Sequence, residues 1–289
     1  MVTKKIGYLG PKGTFTKIAV DSLFNGEEKA DYATIPECMD AVENEEIDIA
    51  VVPLENAIEG TVHLTIDYMI HQVRLPIVAE IVVPIKQHLL VNERATDSFV
   101  DIAHVYSHSH AIAQCHQFLH KHLQQADVHY TTSTGKAAEM VAASDPTAAA
   151  IGNKLAAKEY GLKILAEDIH DYPNNHTRFA VLSKQEEPVI SSGHAAGTQK
   201  TTLLITLPSD YAGALHQVLS AFAWRKMNLS KIESRPMKTG LGNYYFIIDV
   251  NQAYDQVLFP GVKAELEALG CKVTLLGTYP VYQMNTDEV

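Results

Sequence analysis

Four short polar clusters stand out in the sequence, and each sits at an end of an apolar run that reads as a strand. In layered α/β sheets that is where ligands bind. The first is Gly10-Pro11-Lys12-Gly13-Thr14-Phe15-Thr16. Its glycines permit a tight turn and a close backbone approach. Thr14 can cap the following helix and leave N–H groups for an anion. The GxxxxGK[ST] spacing of a Walker loop is absent, so a capped turn and an anion cradle stay equally open. The second runs from Val51 to Val62 and discharges into Glu55 and Asn56. An amide offers a donor and an acceptor to a hydroxyl or carboxylate, and Glu55 could orient it, or the stretch is a turn capped by Thr61. The third places Ser107 at a strand end and Gln114 two turns into the next helix, where a hydroxyl and the helix dipole could hold an anion together. The fourth, Asn174-Asn175-His176-Thr177-Arg178-Phe179, sets an arginine and a threonine at the mouth of a strand. A guanidinium pairs bidentately with carboxylate, so Arg178 is a candidate anchor. No G-x-S-x-G is present, which removes a serine-hydrolase elbow.

The elements that must position these clusters are legible as alternating strands and helices. Strands are predicted at 5–9, 47–52, 77–83, 88–91, 104–106, 128–131, 148–151 and 178–182. Helices are predicted at 15–24, 38–44, 62–72, 111–123, 135–143 and 154–160, most with apolar residues at i, i+3, i+4 spacing. The stretch 184–200 is small, polar and turn-rich, and reads as a linker. Beyond it the order is strand 201–207, helix 212–224, strands 229–235 and 244–250, helix 256–269 and strand 272–278. That is the βαββαβ, ferredoxin-like arrangement.

The chain has 289 residues, 46% hydrophobic and 20% charged, enough for two folded domains. Its net charge of −11 carries no long single-sign run, which argues against nucleic acid or an anionic membrane as partner. No signal-peptide-like or membrane-spanning stretch is visible, so the cytoplasm is expected. The three cysteines, Cys38, Cys115 and Cys271, suggest neither disulfides nor a zinc cluster. The histidines crowded between His104 and His122 lack a metal-ligand pattern and read as solvated.

Taken together, these clusters resemble the prephenate dehydratase family over nearly the whole chain. The motifs that carry the resemblance are Gly10–Thr16, Pro53-Leu54-Glu55-Asn56 with Gly60, Ser107 with Gln114-Cys115, and Asn175-His176-Thr177-Arg178-Phe179. Behind them Gly213-Ala214-Leu215 and Glu233-Ser234-Arg235-Pro236 resemble the phenylalanine-binding motifs of the family's ACT domain. Two positions depart from the family pattern: Ala57 stands where serine is usual, and Ser109-His110 where Pro-Gln is usual.

The resemblance implies a two-lobed α/β catalytic domain at 4–183, similar to type 2 periplasmic binding proteins. Its lobes are expected at 4–76 plus 164–183 and at 77–163, followed by an ACT domain at 201–280. It also implies a lyase that converts prephenate to phenylpyruvate, CO2 and water without metal or organic cofactor. Thr177, Arg178 and Glu55 are the expected catalytic residues. Asn56, Ser107, Gln114, Phe179 and Thr14 are expected to bind substrate. On this picture Thr177 helps the ring hydroxyl depart and Arg178 clamps a carboxylate, so Arg178→Lys mainly raises KM. The effector L-phenylalanine is expected at Gly213, Ala214, Leu215, Asn228, Glu233, Ser234, Arg235 and Pro236, between subunits of a homodimer or homotetramer. Two other readings remain: an arogenate dehydratase with the same chemistry, and a non-catalytic amino-acid-sensing binding protein. A pure binder has no need of the Thr177 hydroxyl.

Overall fold

In the computed structural model the described residues are 4–185, 190, 196–209, 211–237 and 244–285. Most of the expected linker, 186–189 and 191–195, lies outside them. The first strand, β1 (Lys5–Leu9), leads through the Gly10–Thr14 turn into α1 (Phe15–Leu23). There follow β2 (Glu28–Tyr32), α2 (Ile35–Glu43), β3 (Ile49–Asn56), the short β4 (Gly60–Thr61), α3 (His63–His71) and β5 (Ile77–Pro84). A second run comprises β6 (His88–Asn92), β7 (His104–Ser107), α4 (Ser109–Gln114), α5 (His116–His122), β8 (Asp127–Tyr130), α6 (Thr134–Ala142), β9 (Ala148–Gly152), α7 (Lys154–Tyr160) and β10 (Leu162–Ala166). The chain then returns as β11 (His176–Leu182). The C-terminal unit is β12 (Gln199–Thr206), α8 (Ala214–Ala223), β13 (Leu229–Pro236), β14 (Tyr244–Val250), α9 (Leu258–Ala268) and β15 (Lys272–Gln283), the βαββαβ order read from the sequence.

Helix starts follow local chemistry. Thr14 accepts from the Lys17 N–H to cap α1. Thr34 and Glu37 form a capping box on α2, with Pro36 in its first turn, so that helix starts at Ile35 rather than at the expected Cys38. Thr61 is not the cap of α3, whose N-cap Val62 has no side-chain bond. The single helix expected over 111–123 is broken at Cys115, a buried residue that ends α4 and begins α5.

Besides the two-residue β4, two strands escaped the sequence reading. Glu-Lys-Ala-Asp-Tyr of β2 shows no apolar alternation because it is an edge strand with mostly solvated side chains. Leu162–Ala166 of β10 also lies at a sheet edge.

The strands make two sheets, and these define two lobes. One sheet runs β2-β1-β3-β11-β5, with β4 beside β3; the other runs β10-β6-β9-β7-β8. This moves the expected lobe boundaries. β5 pairs along its length with β11 and belongs to the first lobe, while β10 pairs with β6 and belongs to the second. The chain therefore crosses at 85–87 and 167–175, later than the expected 76/77 and 163/164, because pairing partners are long-range and invisible to local pattern.

The C-terminal unit is joined to the first lobe's sheet. The trailing residues Val281–Gln283 of β15 pair in parallel with β5, so β13-β14-β12-β15 continues into β5-β11-β3-β1-β2. The expected end of that strand at 278 is thus too early. Gly277 sits at the crossing, where an added Cβ would come 2.1 Å from the Ile77 carbonyl oxygen, a space only glycine fits. One apolar cluster bridges the two units, with Tyr245, Ile247 and Tyr279 packed against α2, α3 and β3. Each large side chain buried there contributes roughly 1.5–3 kcal/mol of transfer free energy.

At the start of β6, His88 is fully buried, and its Nδ1 accepts the Asp168 N–H at 3.0 Å. Its Nε2 is buried without a partner. Burial pushes its pKa down to about 4, with Lys154 and His170 adding to the effect and Asp168 and Glu167 opposing it. The folded state therefore favours the neutral ring, and the unfolded chain binds the proton first. Stability is complete above the unfolded pKa of roughly 6.5 and is lost as pH falls toward 4. Between pH 7 and 5 the His88 contribution should fall by ~2 kcal/mol. His88→Gln, which keeps an acceptor for Asp168, should flatten the dependence of urea midpoints on pH. An unchanged slope would remove His88 as the cause.

Candidate active site

A cavity of about 840 Å³ opens between the lobes, with Thr177 and Asn56 from the first and Gln114 and Lys136 from the second among its lining. Thr177 is on β11, the strand between β3 and β5, and pairs in register with Asn56 at the end of β3. A β-bulge lies beside them: Arg178 faces Glu55 but Phe179 faces Pro53, leaving Leu54 as the extra residue on β3. Strand residues alternate faces, so three residues of spacing would set Pro53 and Asn56 on opposite sides. The bulge corrects this and both line the cavity, while Leu54 packs in the core behind.

Hydrogen bonds fix the orientation of the Asn56 amide. Its Oδ1 accepts the N–H groups of Ile58 at 3.0 Å and Glu59 at 3.1 Å. Its Nδ2 must then donate, to Thr177 Oγ1 at 2.9 Å and Asn175 Oδ1 at 3.0 Å. The chain of bonds continues across the cleft. Asn175 Nδ2 donates to Gln114 Oε1 at 3.0 Å, and Gln114 Nε2 to Glu59 Oε1 at 3.4 Å. Because the Thr177 oxygen accepts from Asn56, its own proton is left for whatever occupies the cavity. The arrangement is a hydroxyl donor aimed into a cleft.

Phe179 lies two residues along the same face of β11, lining the cavity while it packs in the core with Tyr8 and Val181. Thr14 lines it too, though its hydroxyl is occupied by the turn, donating to the Pro11 carbonyl at 3.0 Å. The first turns of α1 and α6 open onto the cavity through Phe15 and Thr16 and through Thr134. Free N–H groups at such helix starts attract anions. Lys136 lies in the first turn of α6, its amine 2.9 Å from Glu139. Burial, with His110 nearby, lowers the pKa of His108, another lining residue.

Three expected site residues lie elsewhere. Arg178 is on the opposite face of β11 from Thr177, as alternation requires of neighbours in a strand, and does not line the cavity. Its Nε and Nη2 fork onto Glu80 at 2.9 and 2.6 Å, Nη2 also reaches Asp249 at 2.7 Å, and Nη1 bonds Glu55. Glu55 is likewise turned away, held by Arg178 and, at 3.2 Å, by Lys231. Ser107 is wholly buried and donates to the Ile151 carbonyl at 2.7 Å, which ties β7 to β9. The carboxylate clamp expected at Arg178 is therefore not offered to the cavity, and no arginine lines it among the described residues.

The expected effector residues divide by the same alternation. On β13, Glu233 and Arg235 face the first lobe, where Glu233 accepts from Thr61 and Arg235 forks onto Asp67 at 3.0 Å. Ser234 and Pro236 are exposed on the other side. Gly213, at φ +92°, starts α8 with Ala214 buried and Leu215 exposed, and Asn228 is exposed just before β13. Missed by the sequence reading were Asn175 as a bridging amide, Glu59, and the α6 start at Ser133–Lys136. Asn175 stood in a recognised motif. The α6 start had only a Ser-Thr-Gly capping pattern, which is common in non-functional turns.

No helix among the described residues is long and apolar enough to cross a membrane, and no group of three His, Cys, Asp or Glu among them is placed to hold a metal ion. Residues 6–187 match the model of the prephenate dehydratase family. Over 286 residues the chain is 55% identical to the prephenate dehydratase of Bacillus subtilis, covering 97% of this chain and all of that one. A crystal structure of a prephenate dehydratase from Arthrobacter aurescens in complex with L-Phe superposes with a TM-score of 0.83 at 34% identity, covering 99% of this chain and 91% of that one. The prephenate dehydratase structure from Staphylococcus aureus gives 0.80 at 35% identity, covering 95% and 99%. With the cleft, its hydroxyl donor and these relatives in agreement, the chain belongs to the prephenate dehydratase family of hydro-lyases.

Proposed function

We propose that the cavity holds prephenate and that the Thr177 hydroxyl hydrogen-bonds the ring hydroxyl as it leaves. The ring C–O bond breaks, and the bond to the ring carboxylate breaks to release CO2. The electron pair from that bond completes the aromatic ring of phenylpyruvate. The departing hydroxide must gain one proton to become water, and the net proton comes from solvent. An alcohol is a weak acid, so Thr177 acts as a positioned donor that stabilises negative charge on the leaving oxygen. The observation that supports this reading is the fixed Asn56 amide, which donates to the Thr177 oxygen and so leaves that hydroxyl's own proton to be given to a ligand.

Prephenate carries two carboxylates. With Arg178 turned away, the groups that fit them are Lys136 and the N–H groups at the starts of α1 and α6, which come from opposite lobes. Holding one dianion from both sides would favour lobe closure, exclude water and align the two breaking bonds.

Phenylalanine is the proposed effector at the C-terminal unit, and the likeness to the Arthrobacter relative captured with L-Phe supports this. The exposed Gly213, Leu215, Asn228, Ser234 and Pro236 suit a site completed by a second copy of the unit, whereas Glu233 and Arg235 would act by docking the unit on the first lobe.

The test follows phenylpyruvate formation from prephenate, with arogenate as competing substrate, with and without phenylalanine. The expected result is turnover of prephenate at the higher kcat/KM, reduced by phenylalanine. Ser234→Leu should keep kcat while losing that inhibition. No turnover of prephenate by folded protein would overturn the reading of the cavity, and inhibition unchanged in Ser234→Leu would overturn the reading of the effector site.

A further inference from the structure

The side of β11 away from the cavity carries a buried ion cluster that spans the two units. Arg178, Glu80 and Glu55 come from the first lobe; Asp249, Lys200 and Lys231 come from the C-terminal unit. Glu80 is 1% exposed and Asp249 3% exposed. Lys200 bonds both Glu80 oxygens at 2.9 and 3.0 Å, and Lys231 approaches Glu55 at 3.2 Å. The other Asp249 oxygen accepts from Thr202 at 2.8 Å, and that hydroxyl bonds the Tyr279 hydroxyl at 2.7 Å. Burial alone would lower the Arg178 pKa, but hydrogen bonds and charge from Glu80 and Asp249 outweigh it and keep the guanidinium charged.

Burying charges is costly, and apolar residues of similar volume often stabilise as well or better, so a buried cluster is weak evidence for a stabilising role. Its location is more informative. Arg178 is covalently adjacent to Thr177 and sits at the bulge that aims Asn56 into the cavity. Three carboxylates pull on one guanidinium, and one of the three belongs to a different unit of the chain.

We propose that Arg178 is a positioning residue for Thr177 and that Asp249 makes this positioning depend on the docking of the C-terminal unit. The fork on Glu80 holds Arg178 to the neighbouring strand, and Asp249 sets its outward reach. A shift of the C-terminal unit that withdraws Asp249 rotates the β11 backbone at residues 177–178 and moves the donor hydroxyl off the leaving group. A displacement of 1 Å at a reacting group can cost about 100-fold in rate, so a small backbone rotation suffices. This deepens the proposed lyase function and rests on it: the cluster links the C-terminal unit to catalysis without touching substrate.

The test is a kcat and KM comparison on the full chain with prephenate. Asp249→Asn, which keeps shape and the bond to Thr202, should lower kcat about 10- to 100-fold with KM within about twofold. Arg178→Lys should behave the same way, because a point charge replaces the fork. A rise of KM without a fall in kcat in Arg178→Lys would return the guanidinium to a substrate clamp and overturn the proposal. The readout that separates positioning from general damage is a double-mutant cycle. In a Thr177→Val background the hydroxyl to be positioned is gone, so Asp249→Asn should cost little further kcat. Additive losses in that cycle overturn it. Should Asp249→Asn fail to fold, Thr202→Val, which leaves the Arg178 bond to Asp249 in place and removes the Thr202 bonds to Asp249 and Tyr279, runs the same cycle with a smaller expected drop. Failure of the wild-type chain to turn over prephenate would sink the lyase function itself. Turnover by the wild type with unaltered kcat in these variants sinks only the coupling.

Discussion

Thr177→Val should lower kcat on prephenate by about 10²- to 10⁴-fold while the fold and KM change little. Valine keeps the β-branched shape that β11 accommodates at this buried position and removes only the hydroxyl. The oxygen it deletes has one internal partner, Asn56 Nδ2 at 2.9 Å. Asn56 keeps its other bonds to Asn175 and to the Ile58 and Glu59 N–H groups. The lost internal bond should therefore cost only about 1 kcal/mol of stability, well below the kinetic effect. Steady-state kinetics together with a thermal melt check both halves. A kcat within a few-fold of wild type would mean that departure of the hydroxyl needs no donor at residue 177.

Asn56→Asp should be nearly as damaging at neutral pH, with kcat down by about 10²-fold, and for an orientational reason. A carboxylate can still accept from Ile58 and Glu59, but it cannot donate to Thr177. The threonine hydroxyl then turns to donate to the carboxylate, and its proton is withdrawn from the cavity. The new negative charge also repels a dianionic substrate, so KM rises in this variant, unlike in Thr177→Val. Protonating the carboxyl restores a donor, so the variant's relative activity should recover as pH falls toward the carboxylate range, until the loss of stability from His88 sets in. A flat ratio of variant to wild-type kcat across that range would show that the amide does not set the direction of the Thr177 proton.

These two substitutions and the Arg178 series together divide the Thr177-Arg178 pair into separate tasks. One residue lines the cavity and the other faces the ion cluster behind the strand. The division also bears on why the C-terminal unit is continuous with the first lobe's sheet. β15 pairs with β5, β5 pairs with β11, and β11 carries the donor, so the route from the C-terminal unit to the cavity is two strand pairings long.

Local signals in the chain were sufficient for its family and for most of its elements. The Gly10–Thr16 turn, the Glu55-Asn56 and Thr177-Arg178-Phe179 clusters and the βαββαβ order are patterns of neighbours, and neighbours are what a sequence displays. The Gln114 and Asn56 candidates met in one cleft for the same reason: each lies at a strand or helix end aimed at the lobe junction. Even the separation of Thr177 from Arg178 was implicit, since adjacent strand residues point to opposite faces. Which face meets the cavity was not implicit, because that depends on what packs behind β11. There the tertiary structure decided. It placed Asp249, 71 residues downstream, on the guanidinium and inserted a bulge at Leu54 that turned Asn56 toward Thr177. It also carried β5 and β10 into sheets that their local sequence does not specify. Side-chain periodicity is a property of one strand, whereas pairing and burial belong to the whole molecule, and the direction of a functional group follows from the second.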